Sequence, residues 1–195
     1  MKYSTPLAIV SSSSLILLLF FQWTLVDLLT PFILPFLWLL VIGFFFVVIA
    51  FSLISLFKKR KWSPLLIQIT TVTIVIFIPF NTIVLQLNFS NHFKERTEVI
   101  SKIQNGTLQP NVTYNTSVIH LPREYDQLSK GGGDIIIEET NGETLVFFYT
   151  LRGILGNFSG FIYSPHNRKP HENSFGGDFK EIVKMAENWY FVSSS

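Results

Sequence analysis

The segment PFILPFLWLLVIGFFFVVIAFSLISLFKKRK, residues 31–61, decides the architecture of this chain. Its first part, Pro31–Phe57, contains no charged residue, and apolar side chains surround the helix instead of forming one stripe. A buried helix of a soluble domain would show a polar face or end after about 10–14 residues. The segment is long enough to cross a hydrocarbon core of ~30 Å, so the sequence predicts a transmembrane helix.

Two neighbouring stretches are also free of charge, one between Lys2 and Asp27 and one between Lys61 and Lys94. Together with the central segment they predict three spans, at about residues 6–25, 31–57 and 64–87. A signal peptide is the alternative for the first span. It requires small residues at a cleavage site, whereas Gln22–Asp27 offers bulky ones, so we expect an uncleaved helix.

Short connections and prolines predict how the spans are arranged. Only Leu28–Pro31 separates the first two spans, which predicts an antiparallel helical hairpin with Pro31 in the first turn of the second span. Pro35 and Pro79 are expected to kink the second and third spans.

The basic cluster Lys58, Lys59, Arg60 and Lys61 predicts the orientation, because basic loops remain on the cytoplasmic side. With this loop inside, the N-terminus is also cytoplasmic and everything after Leu87 is extracytoplasmic. The cluster is also suited to bind anionic lipid headgroups.

Net charge differs between the two halves of the chain. Residues 1–87 carry five basic residues and one acidic residue, a net charge of +4, whereas residues 88–195 carry ten basic and twelve acidic residues, a net charge of −2. This distribution excludes a single uniform soluble globule and a nucleic-acid-binding protein with a basic face. The absence of cysteine excludes a disulfide-stapled module and a cysteine-ligated metal site.

The predicted spans contain no ionisable residue in their interior. Transporters, proton relays and voltage sensors normally need such groups within the bilayer, so a transport function is disfavoured. The hydroxyl and amide side chains in the spans are typical of helix–helix packing.

Residues 88–195 predict a small extracytoplasmic α+β domain, beginning with a helix over Asn91–Asn105. Phe93, Ile100 and Ile103 lie near one face of this helix, and Arg96 is placed with the charged residues elsewhere. A short strand or turn is expected around Ser117–Leu121.

The strongest strand signal is Asp134–Thr140, followed by Asn141-Gly142 and Glu143–Leu151, a pattern typical of a β-hairpin with a type I′ turn. Further strands are predicted at Gly160–Tyr163, Phe179–Met185 and Trp189–Val192. The predicted domain therefore has one helix and an antiparallel sheet of four to five strands.

Two glycine-containing segments resemble catalytic motifs only superficially. Gly131-Gly132-Gly133 precedes a strand and not the helix of a phosphate-binding loop, so we interpret it as a turn. Ser159, in Gly156-Asn157-Phe158-Ser159-Gly160, lies one position late for a nucleophile elbow and also precedes a strand.

His166, His171 and Glu172 are the candidate metal ligands, since two imidazoles and a carboxylate suit zinc binding or acid–base chemistry. They lie in a loop with two prolines, where their spacing proves nothing, and solvated loop histidines are the simpler interpretation. His92 and His120 are isolated in the sequence.

Trp189, Tyr190 and Phe191 alternate across the last predicted strand. One interpretation places one face of this strand in the core. The other places the strand at a sheet edge, where Tyr190 and the open backbone would bind a partner by strand addition.

Five Asn-x-Ser/Thr sequons occur, at Asn88, Asn105, Asn111, Asn115 and Asn157. They would carry glycans only in a eukaryotic secretory protein. The absence of cysteine favours a bacterial chain, in which these sequons would not be glycosylated.

These observations predict a non-enzymatic multi-pass protein of the cell membrane with an external domain for binding, sensing or assembly. Its expected partners are the lipid bilayer and a membrane or envelope protein, with self-association included, and neither a cofactor nor nucleic acid is expected. The alternatives are an envelope metal-dependent hydrolase that uses the loop histidines, and an immunity or defence protein of the membrane.

Overall fold

The computed structural model describes residues 3–113, 115–140, 142–153 and 157–194, except the side chains of Asp27, Thr30 and Pro31. Lys2, Asn141 and Gly156, which enter the sequence predictions, lie outside the described residues. The chain divides into two compact units, Met1–Leu85 and Gln86–Ser195, two residues before the predicted boundary.

The first unit is helical and begins with α1 (Ser4–Lys59), which folds back on itself. Ser4 Oγ lies 3.4 Å from Ser55 Oγ, although a straight helix would separate these residues by about 77 Å. The two halves, Ser4–Val26 and Phe32–Lys59, therefore run antiparallel. This agrees with the predicted hairpin, but the expected turn at Leu28–Pro31 is itself helical.

Small polar side chains fill the interior of the helical unit, and large apolar ones cover its surface. Serines and alanine pack closely between the helices, and bulky residues pack nearer the reversal, as in membrane bundles. In the α1 helix the buried residues are Ser4, Ala8, Ser11, Ser12, Leu15, Leu18, Val41, Phe45, Val48, Ser52 and Ser55. On the surface, Leu28, Phe36, Leu39 and Phe57 are each about three-quarters exposed or more.

The predicted third span is a bent pair of helices, α2 (Ser63–Phe77) and α3 (Phe80–Asn91). The two axes meet at 61° because Ile78 is extended before Pro79, which confirms the kink predicted there. Pro35 is the fourth residue of the second half of α1, where a missing N–H interrupts no helical hydrogen bond. Two helices are thus long and apolar enough to cross a membrane, or three if the bent pair is one span.

The second unit contains the end of α3 and then α4 (Phe93–Gln104), whose C-cap residue is Asn105. The buried side of α4 consists of Arg96, Val99 and Ile100. The prediction that places Arg96 away from the apolar face of this helix was therefore wrong. Its side chain is only 1% exposed, because it reaches carbonyl groups that local sequence does not reveal.

Six antiparallel strands follow among the described residues, one or two more than the sequence predicted. The order in the sheet is β1-β2-β3-β4-β6-β5, so β1 and β5 are its edges. The strands are β1 (Val118–His120), β2 (Asp134–Thr140), β3 (Glu143–Arg152), β4 (Phe158–Tyr163), β5 (Phe179–Ala186) and β6 (Trp189–Ser194). Thr140 pairs with Glu143 and Gly142 has φ +77°, which fits the predicted hairpin, although Asn141 itself is not described.

Side chains cover both faces of the sheet, so β3 is buried without alternation over Leu145–Tyr149. On one face, Phe89 from α3 contacts the rings of Phe161 and Trp189, at centroid distances of 5.1 and 5.8 Å. On the other face, Phe175 from the connection between β4 and β5 lies 5.4 Å from the Phe147 ring. The core of the unit is therefore aromatic on both sides.

Gly160 is required for this packing. A Cβ atom at this position would lie 2.2 Å from the carbonyl oxygen of Phe148 and 2.5 Å from Cζ of Phe147. The Phe147 ring thus occupies the space that any other residue at position 160 would fill.

Candidate functional site

A polar cluster lies at the β1 edge of the sheet and contains His120, Asp134 and Arg152. The β1–β2 register places His120 directly opposite Asp134, and Arg152 ends the neighbouring strand β3. His120 Nδ1 lies 2.9 Å from Asp134 Oδ1, and Arg152 Nη1 lies 3.3 Å from Asp134 Oδ2. One carboxylate therefore holds two basic side chains at the edge of the sheet.

Asn111 fixes the backbone of His120 from the side of β1 that no strand covers. Its Nδ2 donates a hydrogen bond to the His120 carbonyl at 2.9 Å, and its Oδ1 accepts one from the His120 N–H at 2.8 Å. The amide thus pairs with the edge strand as a neighbouring strand would.

Arg152 connects the cluster to the glycine turn that precedes β2. Its guanidinium donates to the Gly131 carbonyl at 3.4 Å and lies 5.4 Å from the centre of the Tyr149 ring. Burial raises the pKa of the Tyr149 hydroxyl, the positive charge of Arg152 opposes this, and Asp134 adds to it. Gly131, Gly132 and Gly133 all have positive φ and form a turn into β2, as predicted.

The chemistry of this cluster suits recognition. The Asp134 side chain is 18% exposed, whereas those of His120 and Arg152 are 61% and 52% exposed. The His120 imidazole is hydrogen-bonded to the Asp134 carboxylate and, among the described residues, to no hydroxyl group. The cluster offers a guanidinium and an imidazole edge to an acceptor-rich partner.

The structure does not combine His166, His171 and Glu172 into a ligand set. His166 Nε2 lies 3.8 Å from Glu143, and His171 Nδ1 accepts a hydrogen bond from the N–H of Asn173 at 3.3 Å. In the part of the chain that the structure describes, no three His, Cys, Asp or Glu residues are arranged to hold a metal ion.

Trp189, Tyr190 and Phe191 do not form a sheet edge, so the strand-addition interpretation was wrong. Strand β6 pairs with β4 on one side and with β5 on the other. All three side chains are buried, and Tyr190 donates its hydroxyl to the Asn167 carbonyl at 2.7 Å. The order of the strands, which differs from their order in the sequence, places them in the interior.

The structure also shows where Ser159 and the basic cluster Lys58–Lys61 lie. Ser159 lies within β4, is 2% exposed, and forms a hydrogen bond of 2.9 Å with the Thr150 hydroxyl. The basic residues Lys58, Lys59, Arg60 and Lys61 are all exposed at the connection between α1 and α2. Arg60 has φ 54° and caps α1 through its N–H to the Leu56 carbonyl.

Sequence reasoning missed two residues, His120 and Arg96. His120 is isolated in the sequence, but pairing a strand at Ser117–Leu121 with the predicted strand that begins at Asp134 brings the two residues together. Arg96 gave no such signal. Burial lowers the pKa of its guanidinium to about 10, while Glu95 opposes this effect, so Arg96 remains charged at neutral pH.

Four sequon asparagines have a structural function in this fold, and one of them, Asn88, accepts a hydrogen bond from Arg96 through its side-chain oxygen. Asn105 and Asn115 accept hydrogen bonds from backbone N–H groups two residues later, as in Asx turns, and Asn111 holds β1.

No protein-family model matches the chain, and comparison with curated proteins and with solved structures found no significant match.

Proposed function

We propose that this protein is a multi-pass membrane protein with three spans. Its basic loop is cytoplasmic, and its sheet unit binds another membrane or envelope protein outside the cytoplasmic membrane. The function is non-enzymatic, and the partner includes a second copy of the chain as one candidate.

The distribution of polarity in the helical unit carries the membrane part of this proposal. The interior contains Ser11, Ser52 and Ser55, each fully buried, whereas Phe36 and Phe57 on the surface are 74% and 81% exposed. Water would favour the opposite arrangement, and hydrocarbon favours this one. The surface would be unstable in water and is suited to lipid.

Charge supports the orientation. The cluster Lys58–Lys61 is the basic loop nearest to any span, and Asp27 is the one acidic residue in residues 1–87. The positive-inside rule therefore places this loop in the cytoplasm, and a third span formed by α2 and α3 brings the sheet unit to the other side.

The cluster of His120, Asp134 and Arg152 supports binding over catalysis. It presents exposed donor groups at a sheet edge beside a turn. The loop histidines do not favour the hydrolase alternative, because the structure does not combine them with Glu172.

Single-cysteine labelling tests the topology, and the natural chain provides a cysteine-free background. We expect a membrane-impermeant maleimide to label Glu187→Cys in intact cells and to label Ser63→Cys only after permeabilisation. Both residues are exposed. Labelling of Ser63→Cys with protection of Glu187→Cys would contradict the proposed orientation.

Charge reversal tests the binding function. Arg152→Glu should remove chemical crosslinks between the full-length protein and its envelope partner in intact cells. Arg168→Glu is the matched control, because Arg168 is similarly exposed and also pairs with a carboxylate, that of Glu143. Equal crosslinking by both variants would show that the β1 edge is not the binding surface.

A further inference from the structure

A groove in the helical unit runs between α2 and the second half of α1. It has a volume of about 230 Å³, and its walls are almost entirely apolar. The lining residues are Ile49, Leu65, Gln68, Ile69, Val72 and Thr73. Pockets that enclose whole ligands are larger, at roughly 300–1,000 Å³, so this groove suits a single hydrocarbon chain.

We propose that this groove binds one acyl chain of an anionic phospholipid, whose headgroup lies at Lys58–Lys61 and whose ester carbonyl accepts a hydrogen bond from Gln68. The inference depends on the membrane location proposed above. It adds a specific lipid site to that location.

Gln68 supplies the polar contact. Its side chain is 1% exposed, and neither Nε2 nor Oε1 has a hydrogen-bond partner among the described residues. The Thr73 hydroxyl, by contrast, donates to the Ile69 carbonyl at 3.0 Å. An unpaired amide in hydrocarbon is costly, and an acyl chain alone does not satisfy it. Rotation of the terminal carboxamide presents Nε2 to an ester at the top of the groove.

The depth of Gln68 matches the position of the ester group. Helix α2 begins at Ser63, so Gln68 lies about 7.5 Å further along the axis. The headgroup region occupies roughly 5–7 Å on each side of the hydrocarbon core. With Ser63 at the membrane surface, Gln68 lies where the headgroup region meets the acyl chains.

Charge favours an anionic headgroup over a second copy of the chain. Lys58, Lys59, Arg60 and Lys61 are exposed just above the groove, next to Trp62, which is 61% exposed. Two copies inserted in the same orientation would bring their basic clusters together at this depth, and the like charges would repel each other. An anionic lipid is attracted by the same charges.

The test uses the full chain in phosphatidylcholine vesicles that contain increasing fractions of a lipid brominated on its acyl chains. The signal is quenching of Trp62 fluorescence, obtained as the difference between the natural chain and Trp62→Phe. We expect brominated phosphatidylglycerol to quench at a mole fraction about fivefold lower than brominated phosphatidylcholine, the factor for roughly one favourable charge contact.

With dialkyl phosphatidylcholine, which lacks the ester carbonyl, as the host lipid, Gln68→Leu should raise severalfold the mole fraction of either brominated ester lipid needed for quenching. Gln68→Glu should also lower the preference for phosphatidylglycerol, because a carboxylate repels the anionic lipid. Thr70→Leu, at an exposed position of the same helix, is the control and should leave both quantities unchanged. Helical circular dichroism of each variant shows that the bundle has folded.

Three results would overturn the inference: equal quenching by both brominated lipids, an unchanged mole fraction for quenching by the brominated ester lipids in Gln68→Leu, or a Val72→Cys disulfide dimer that forms in phosphatidylcholine alone and disappears with Gln68→Leu. The last result would assign the groove to a second copy. Flotation of the chain with vesicles separates this test from the proposal of a membrane location. A chain that does not float contradicts both the membrane location and the lipid site. A chain that floats but shows no lipid preference contradicts only the lipid site.

Discussion

Arg96 on α4 donates a hydrogen bond from its guanidinium to the Asn88 side-chain oxygen at 2.7 Å and thereby holds the last turn of α3. The same guanidinium reaches the Asn88 carbonyl at 3.3 Å and lies 4.5 Å from the centre of the Phe161 ring in the sheet. The Arg96 guanidinium thus lies at the C-terminus of α3 and over the Phe161 ring. It links the end of α3 and the start of α4 to the sheet.

Replacing Arg96 should destabilise the sheet unit. Arg96→Ala removes the hydrogen bonds and the ring contact and takes from the Asn88 side-chain oxygen its guanidinium donor, so we expect a loss of about 2–4 kcal/mol in the free energy of unfolding. Hydrogen exchange of the β4 and β6 amides measures it. Arg123→Ala, at an exposed position, is the control and should change the free energy of unfolding by less than about 0.5 kcal/mol. Similar losses in both variants would show that Arg96 does not stabilise the sheet unit.

Acid should weaken the contact between α4 and the segment after β1. The Tyr125 hydroxyl, which donates to Glu98 at 2.6 Å, lowers the pKa of that carboxyl below its ordinary 4.5, and Lys102 adds to the effect. Below pH 4.5 the unfolded chain therefore binds more protons than the folded one, so stability present above this pH is lost as the pH falls.

Urea unfolding between pH 3 and pH 6 measures this loss. Glu98→Gln should flatten the acid side of the profile relative to the natural chain, whereas Glu139→Gln, at an exposed position of β2, should follow it. A profile for Glu98→Gln as steep as that of the natural chain would contradict the linkage.

Gly160→Ala should be among the most damaging small substitutions. The added methyl group would overlap the Phe148 carbonyl and the Phe147 ring, both of which are held by packing, so we expect a loss of about 3 kcal/mol or more. Thermal unfolding of the sheet unit provides the measurement. Gly43→Ala has no atom within 4 Å of the new group and should be nearly neutral; a neutral Gly160→Ala would mean that the sheet packs differently.

Asn111→Ala should loosen the edge strand β1 without unfolding the sheet. Two hydrogen bonds to the His120 backbone disappear, so amide exchange in Val118–His120 should become roughly tenfold faster. Asn157→Ala is the control, since Asn157 is exposed and distant in sequence from β1. Unchanged exchange in Asn111→Ala would show that β1 is held by its pairing with β2 alone.

The sequence by itself determined the elements whose signals are local. An uncharged apolar run, Pro79 and two strong β segments around Gly142 are each recognisable within about 30 residues, because helical and strand periodicity are properties of neighbouring positions. The apolar helices, the bend at Pro79 and the sheet that follows were therefore predictable.

Only the tertiary structure decided the features that depend on which distant segments meet. The insertion of β6 between β4 and β5 placed Trp189–Phe191 in the interior, and the β1–β2 register paired His120 with Asp134. Arg96 became buried because α4 begins two residues after α3 ends, so its side chain reaches back to the Asn88 and Phe89 carbonyl groups in the last turn of α3. Strand order and helix-end contacts are set by the packing of the whole unit, and no local pattern of residues encodes them.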